Sequence, residues 1–254
     1  MSEVDQSRAP LMDHLIELRR RLIWSFVALG IAFAICLYFA EPIFAFLCQP
    51  LADAFGPGQG KLIYTKLYEA FFTQVRVALF AAFFLAFPII ANQIWAFVAP
   101  GLYMKEKRAF LPFLIATPVL FVMGGALAYY VVMPTAFTFF LKYQGDFGGI
   151  RQEALPAVGD YLSLVMHFIL AFGIAFLLPI LLMLMERAGL VTRMQLKRGR
   201  RYAILVAFIV AAVATPPDVL SQCLLAFPLI LLYELSLIAI WFTERRRAKE
   251  AGAA

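Results

Sequence analysis

Charged residues are scarce in this chain of 254 residues, since Asp, Glu, Lys and Arg together make up 15% of it. Histidine occurs twice, and the three cysteines Cys36, Cys48 and Cys223 show no CxxC spacing. The usual zinc ligand sets need more than this, so we expect no metal site and no cofactor. The sequence lacks a Ser/His/Asp arrangement, a Gly-rich phosphate loop and an HExxH motif, which indicates that the protein is not an enzyme. It leaves open whether Cys48 and Cys223 form a disulfide.

The chain is instead rich in apolar residues, with 63% hydrophobic residues and a mean hydropathy of +0.84. A soluble domain is nearer half apolar and a quarter charged. The apolar residues form six blocks, at 22–40, 71–98, 110–140, 163–185, 202–215 and 224–242. About 20 helical residues cross the ~30 Å hydrocarbon core of a bilayer. We therefore predict an all-α polytopic membrane protein with six transmembrane helices in a single domain, 1–254.

The basic residues alternate between the loops and predict the topology. Seventeen Lys and Arg residues lie in the N-terminal segment, the loops after blocks two and four, and the C-terminal segment, against four in the alternate loops. By the positive-inside rule, both ends of the chain are cytoplasmic. The outer loops, 41–70 and 142–162, are long enough to form an external cap. The net charge of +6 does not indicate nucleic-acid binding, because the bases flank apolar blocks rather than forming a polar face.

Block five is short, since its 14 residues would span only about 21 Å. Blocks five and six could instead form one re-entrant pair, but that would put Asp218 inside the membrane at a cost of about 3 kcal/mol or more. We therefore place Asp218 at the outer surface and keep six spans. In the longer blocks, we expect Pro88 and Pro118 to introduce kinks and Pro134 to mark the outer end of block three.

Charge within the blocks is rare, and Glu234 in block six is the main case. It is either functional, as a proton relay or partner contact, or a polar contact to a neighbouring helix away from the lipid face. A gradient-coupled transporter normally carries more such groups. A small-solute transporter or channel is therefore the second choice for function.

Two carboxylates, Glu17 and Glu106, lie among the bases of the predicted cytoplasmic face. Carboxylates are natural partners of guanidinium groups through bidentate hydrogen bonds. Spacing alone favours pairing of each glutamate with a neighbouring Arg or Lys.

Ordered sequence runs resemble the TatC family, the multispanning subunit of the twin-arginine protein translocase. The runs are HLIELRRRL at 14–22, QIWAFVAPGLY at 93–103 followed by Glu106 and Arg108, AYYVVMP at 128–134, DYLS at 160–163, AFG at 171–173 and TPPDV at 215–219. Each run alone is a weak match, but together they keep the family's order and topological positions. One departure is Leu177, where many family members carry Glu or Gln, so no partner-contact role is transferred to it.

The resemblance implies a receptor for twin-arginine signal peptides of folded cargo proteins in the bacterial cytoplasmic membrane. It implies that Glu17 and Glu106 receive the two guanidinium groups, and we expect neither to be neutralised by local bases. The residues expected to shape the surrounding surface are Leu18, Arg19, Phe97, Pro100, Leu102 and Tyr103.

The resemblance also implies single-span partners of the TatA and TatB type, a hetero-oligomer with multiple copies in membrane lipid, and export driven by the proton-motive force. Block five is a plausible docking edge for a partner, and its shortness would thin the surrounding bilayer. Structural or partner-contact roles are expected for Pro50, Pro88, Tyr129, Asp218 and Glu234.

Overall fold

The computed structural model describes residues 3–56, 60–102, 111–215 and 218–252. Helices make up most of this part of the chain. In chain order the elements are α1 (Glu3–Tyr38), α2 (Ala40–Phe55), α3 (Glu69–Leu102), α4 (Leu111–Leu127), a π-helix (Ala128–Val132), α5 (Met133–Leu141), β1 (Gly145–Phe147), β2 (Ile150–Gln152), α6 (Val158–Ala175), α7 (Leu178–Arg187), α8 (Arg193–Arg198), α9 (Arg200–Ala214) and α10 (Val219–Gly252). The predicted all-α class is confirmed.

Five helical stretches of the described residues are long and apolar enough to cross a membrane. They are His14–Tyr38, Glu69–Phe97, Phe113–Leu141, Val158–Arg187 and Val219–Arg245. The remaining predicted block coincides with α9, whose 15 residues correspond to about 22 Å. The count of six spans and the external cap stay predictions.

Two compact units make up the fold, and the first contains Met1–Phe44 and Phe71–Pro118. Its core is a cluster of small residues from α1, the first residue of α2 and α3, namely Ala32, Cys36, Ala40, Ala78, Ala82 and Ala86. Ala32 and Cys36 are four residues apart on α1, and Ala78, Ala82 and Ala86 recur every four residues on α3, so these small side chains line one face of each helix. Small side chains allow the backbones of apolar helices to approach closely.

The second unit contains Ala45–Ala70 and Val119–Ala254. Phe121 of α4 and Phe172 of α6 are fully buried in it. Two glycines allow α4 and α6 to pack closely here, because a Cβ on Gly124 would lie 2.4 Å from the Phe172 carbonyl oxygen and one on Gly173 would lie 2.7 Å from the Phe121 ring. The helices can therefore pack this closely only without side chains at these two positions. The helix α10 packs against α7 and α9 in the same unit.

The two segments predicted to form the external cap are hydrogen-bonded to each other in this unit. The Ile63 amide donates to the Pro156 carbonyl at 3.2 Å, and the Val158 amide donates to the Ile63 carbonyl at 3.0 Å. Glu69 adds a side-chain link, since its carboxylate accepts from the Gly159 amide at 2.8 Å. The segments predicted as outer loops thus form one connected structure.

Three local features differ from the prediction or were not anticipated. Helical structure continues past Pro134 to Leu141, so the expectation that this proline ends block three is wrong. The ring is accommodated because Pro134 lies in the first turn of α5, directly after the π-helix. Block four divides into α6 and α7 around Leu177, and Pro179 occupies the first turn of α7.

A short β-hairpin also lies within the second predicted outer loop. Its strands β1 and β2 pair antiparallel, with Phe147 opposite Ile150. The two connecting residues, Gly148 and Gly149, have φ angles of 65° and 88°. Positive φ at both positions is the geometry of a two-residue type I′ turn, which glycine adopts without steric cost.

Candidate functional site

Glu17 is paired with a base of its own helix. The Arg21 Nε donates to Glu17 Oε1 at 3.0 Å, and the Arg21 Nη2 also contacts that oxygen. The expectation of a carboxylate free of local bases is therefore wrong for Glu17. Residues four apart face each other on a helix, and a glutamate placed N-terminal to its basic partner has the favourable orientation.

His14 brings the two predicted halves of the site together. Its imidazole stacks on the ring of Phe97 from α3, with centroids 4.2 Å apart. Leu18 and Arg19 are exposed on the following turn of α1. We call residues 14–21 together with Phe97 the first rim. It presents an apolar and basic surface next to the carboxylate of Glu17.

The rest of the predicted peptide site follows Phe97 along the chain. Pro100 and Leu102 belong to the last turns of α3, so the helix continues to the start of the predicted cytoplasmic loop. Tyr103 and Glu106 lie outside the described residues. Their assignment to the peptide site stays a prediction.

Glu234 makes the polar contact to a neighbouring helix that was one of its two predicted roles. Its Oε2 accepts from the Arg200 Nη2 of α9 at 2.7 Å. Next to it on α10, the Tyr233 hydroxyl donates to the Leu196 carbonyl of α8 at 2.6 Å. Adjacent residues of α10 therefore hold both α8 and α9.

Two further bases and an indole surround this contact, and they were not predicted to act together. Arg193, Lys197 and Arg200 line a small cavity with Glu234 and Trp241. We call these five residues the second rim. The sequence signal that could have indicated it is Trp241 at the end of an apolar block, with the basic run Arg245–Arg247 beginning four residues later.

The remaining structural candidates occupy packed positions in the second unit or lie within long helices. Tyr129 is buried, stacks on Phe46 with centroids 4.4 Å apart, and donates from its hydroxyl to the Phe46 carbonyl at 2.6 Å. Pro50 is buried in α2, and α3 continues through Pro88. Asp218 caps α10, since its Oδ1 accepts from the Ser221 amide at 2.7 Å.

The cysteines and acidic residues do not form a ligand cluster within the described part of the chain. No group of three or more His, Cys, Asp or Glu residues is close enough there to hold a metal ion. Cys36, Cys48 and Cys223 are free thiols, so Cys48 and Cys223 are not disulfide-bonded in this structure. Burial raises the pKa of the Cys48 thiol to about 11, which keeps it protonated near neutral pH.

These features define a multi-pass helical membrane protein with basic rims, and comparison with known proteins identifies its family. The profile of the TatC family, described as Sec-independent protein translocase protein, matches residues 13–228. The TatC protein of Magnetococcus marinus is 50% identical over 248 residues, covering 98% of this chain and 90% of the relative. That of Rickettsia prowazekii is 43% identical over 240 residues, covering 92% and 94% respectively.

Solved structures agree with the sequence comparison. A crystal structure of the twin arginine translocase receptor TatC in DDM superposes with a TM-score of 0.77 at 39% identity, covering 89% of this chain and 98% of that one. The chain belongs to the TatC family of Sec-independent protein translocase proteins. It is a multi-pass protein of the bacterial cytoplasmic membrane, and its family consists of translocase components.

Proposed function

We propose that this protein is the signal-peptide receptor and core subunit of a twin-arginine translocase, and that the first rim binds the peptide. The observation that carries the proposal is the stack of His14 on Phe97, which joins the N-terminal helix to the end of α3. Both sequence runs implied for peptide binding thereby contribute to one surface. Glu17 and Glu106 are the proposed acceptors for the two arginines.

The Glu17–Arg21 pair is compatible with this role because it is weak. The side chains are 35% and 24% exposed, and a partly exposed pair four residues apart on a helix contributes about 0.3–0.5 kcal/mol. An arriving guanidinium can replace Arg21 on the same carboxylate with a similar hydrogen-bonding fork. Arg21 thus holds Glu17 in position until a peptide arrives.

The direct test is a binding titration of a synthetic twin-arginine peptide against Glu106→Ala. Loss of one carboxylate from a desolvated charge pair costs about 2–5 kcal/mol, so binding should fall at least about thirtyfold. Glu41→Ala is the matched control, since Glu41 is an exposed carboxylate in α2, away from the first rim in sequence. A peptide with two lysines should bind more weakly to the wild type. Unchanged affinity of Glu106→Ala would contradict the assignment.

The proposed partners are single-span subunits of the TatA and TatB type, assembled with several copies of this chain. The helix α9 offers a docking edge, because Leu205, Phe208 and Ile209 are exposed along it. We further propose that the protein acts by binding and assembly rather than as an enzyme, with export driven by the proton-motive force. A small-solute transporter would instead take up a solute when reconstituted alone.

The shortness of α9 supplies a mechanism for lowering the barrier to export. At about 22 Å, this helix is shorter than a ~30 Å hydrocarbon core and favours a thinner bilayer around it. Inserting one apolar turn adds about 6 Å and, at fractions of a kcal/mol per Å, should lower export of a folded reporter about tenfold. The same residues appended after the last residue serve as the control. Normal export with the longer α9 would contradict the mechanism.

A further inference from the structure

The second rim lines a half-open cavity of about 140 Å³ between α8, the start of α9, and α10. Its walls carry three bases, Arg193, Lys197 and Arg200, against one lining carboxylate, Glu234. Its floor is apolar and comes from α10, through Leu237, Ile238 and Trp241. A small basic cavity with an apolar floor combines the two properties that an amphipathic anion requires.

The positive charge of this cavity is only partly compensated by the protein. Arg200 bonds to Glu234 at 2.7 Å, whereas Arg193 lies 3.6 Å from Glu244, too far for a strong hydrogen bond. The Lys197 ammonium makes no hydrogen bond or ion pair with any residue that the structure describes. An anion that enters the cavity would therefore meet one fully available base and one loosely held base.

Two arginine side chains lie close to the ring of Trp241 in this cavity. The guanidinium carbon of Arg193 lies 5.8 Å from its ring centroid and that of Arg245 lies 4.1 Å from it. Cation–π attraction holds each arginine near the indole, but two like charges so close to one ring also repel each other. A bound anion would offset that repulsion.

The short helix that carries Arg193 and Lys197 is itself held by fixed structure. The helix α8 begins with a reciprocal capping box, in which Thr192 Oγ1 accepts from the Gln195 amide and Gln195 Oε1 accepts from the Thr192 amide. The Tyr233 hydroxyl then fastens α8 to α10 through Leu196. Because this helix is already in place, binding costs ordering of the basic side chains but not of the backbone that carries them.

We propose that the second rim binds the headgroup of an anionic phospholipid, with the phosphate at Lys197 and Arg193 and an acyl chain along Leu237 and Ile238. The cavity lies toward the end of the candidate span Val219–Arg245, where an indole marks a membrane interface. The apolar floor favours a lipid over free phosphate, and basic cavities beside transmembrane helices suit anionic headgroups. A twin-arginine peptide is excluded here because its cations would meet three bases.

The first experiment counts bound lipid on the purified full chain by native mass spectrometry, with phosphatidylglycerol and phosphatidylcholine as probes. The wild type should retain phosphatidylglycerol in preference to phosphatidylcholine. Lys197→Gln should weaken phosphatidylglycerol binding about fivefold, and adding Arg193→Gln should weaken it further. The matched control is Arg198→Gln, which removes the same charge from the same short helix at a residue outside the cavity lining, and it should change binding less than twofold.

Three outcomes would overturn the proposal. Equal losses for Lys197→Gln and Arg198→Gln would mean diffuse attraction rather than a site. No preference for phosphatidylglycerol in the wild type would leave an acidic protein segment as the better ligand. Displacement of the lipid by millimolar inorganic phosphate would mean that the acyl chain contributes nothing.

A second measurement reports proximity to the cavity and does not depend on the charge variants. Trp24→Phe with Trp95→Phe leaves Trp241 as the single tryptophan of the chain. Brominated phosphatidylglycerol should quench its fluorescence at least about twofold more than brominated phosphatidylcholine at equal mole fraction. Equal quenching by the two lipids would contradict the site, and mass spectrometry of the unaltered chain decides if this variant does not fold.

Discussion

The first and second rims each contain one arginine–glutamate pair, but the two pairs are built differently. Glu17 and Arg21 are four residues apart on α1, so the contact forms within a single helix. Glu234 and Arg200 are 34 residues apart and join α10 to α9. Breaking the first pair costs one local contact, whereas breaking the second also loosens a contact between helices.

The way each pair is built determines which charges are available for ligands. On the first rim, the carboxylate of Glu17 can exchange its local base for an arriving cation without disturbing the fold. On the second rim, the carboxylate is committed to α9, and the bases around it carry the spare charge. Two rims of similar composition therefore favour ligands of opposite sign.

A substitution at Glu17 should change peptide binding strongly and lipid binding hardly at all. Glu17→Gln removes the carboxylate charge and should weaken twin-arginine peptide binding about thirtyfold, the factor that corresponds to about 2 kcal/mol. It should leave phosphatidylglycerol binding within twofold of the wild type. Titrations of both ligands on the same preparation provide the measurement, and a parallel loss of both would remove the distinction between the rims.

An intermediate effect tests whether the second rim is held by fixed structure. Tyr233→Phe removes the hydroxyl that donates to the Leu196 carbonyl and should lower the free energy of unfolding by about 1 kcal/mol. The matched control is Tyr202→Phe, because that hydroxyl is exposed and accepts a bond from its neighbour Arg201. Thermal unfolding in detergent compares the variants, and equal melting temperatures would show that the α8 contact does not stabilise the fold.

The smallest effect concerns the exchange that we infer on the first rim. Arg21→Gln removes the local competitor for Glu17 and should tighten peptide binding about twofold, as expected for a pair worth about 0.3–0.5 kcal/mol. Arg20→Gln is the control, since it removes the same charge one residue away. Weaker binding by Arg21→Gln alone would mean that Arg21 takes part in holding the peptide.

The positions of the long helices could be predicted from the sequence because they depend on the mean hydropathy of long segments. Blocks of apolar residues indicated the long helices. The break in block four around Leu177 was missed, although Pro179 is a signal for it, since proline favours the first turn of a new helix. The hairpin turn was also missed, although the adjacent glycines Gly148 and Gly149 are a signal for a two-residue turn.

The candidate site was less predictable because its pairs depend on rotamers and on contacts between distant parts of the chain. Glu17 and Arg21 are four residues apart, a spacing that allows an ion pair. The spacing alone cannot decide whether Glu17 binds Arg21 or a peptide arginine. The stack of His14 on Phe97 joins residues from different helices. Neither residue alone indicated the other, so only the fold could bring them together.

The most direct test of the receptor assignment is photo-crosslinking with a twin-arginine peptide in membranes. A photoreactive residue at Leu18, which is 41% exposed on the first rim, should crosslink to the peptide, and free peptide without the reactive group should compete. The same group at Lys197 on the second rim should not crosslink. Crosslinks from Lys197 with none from Leu18 would contradict the account.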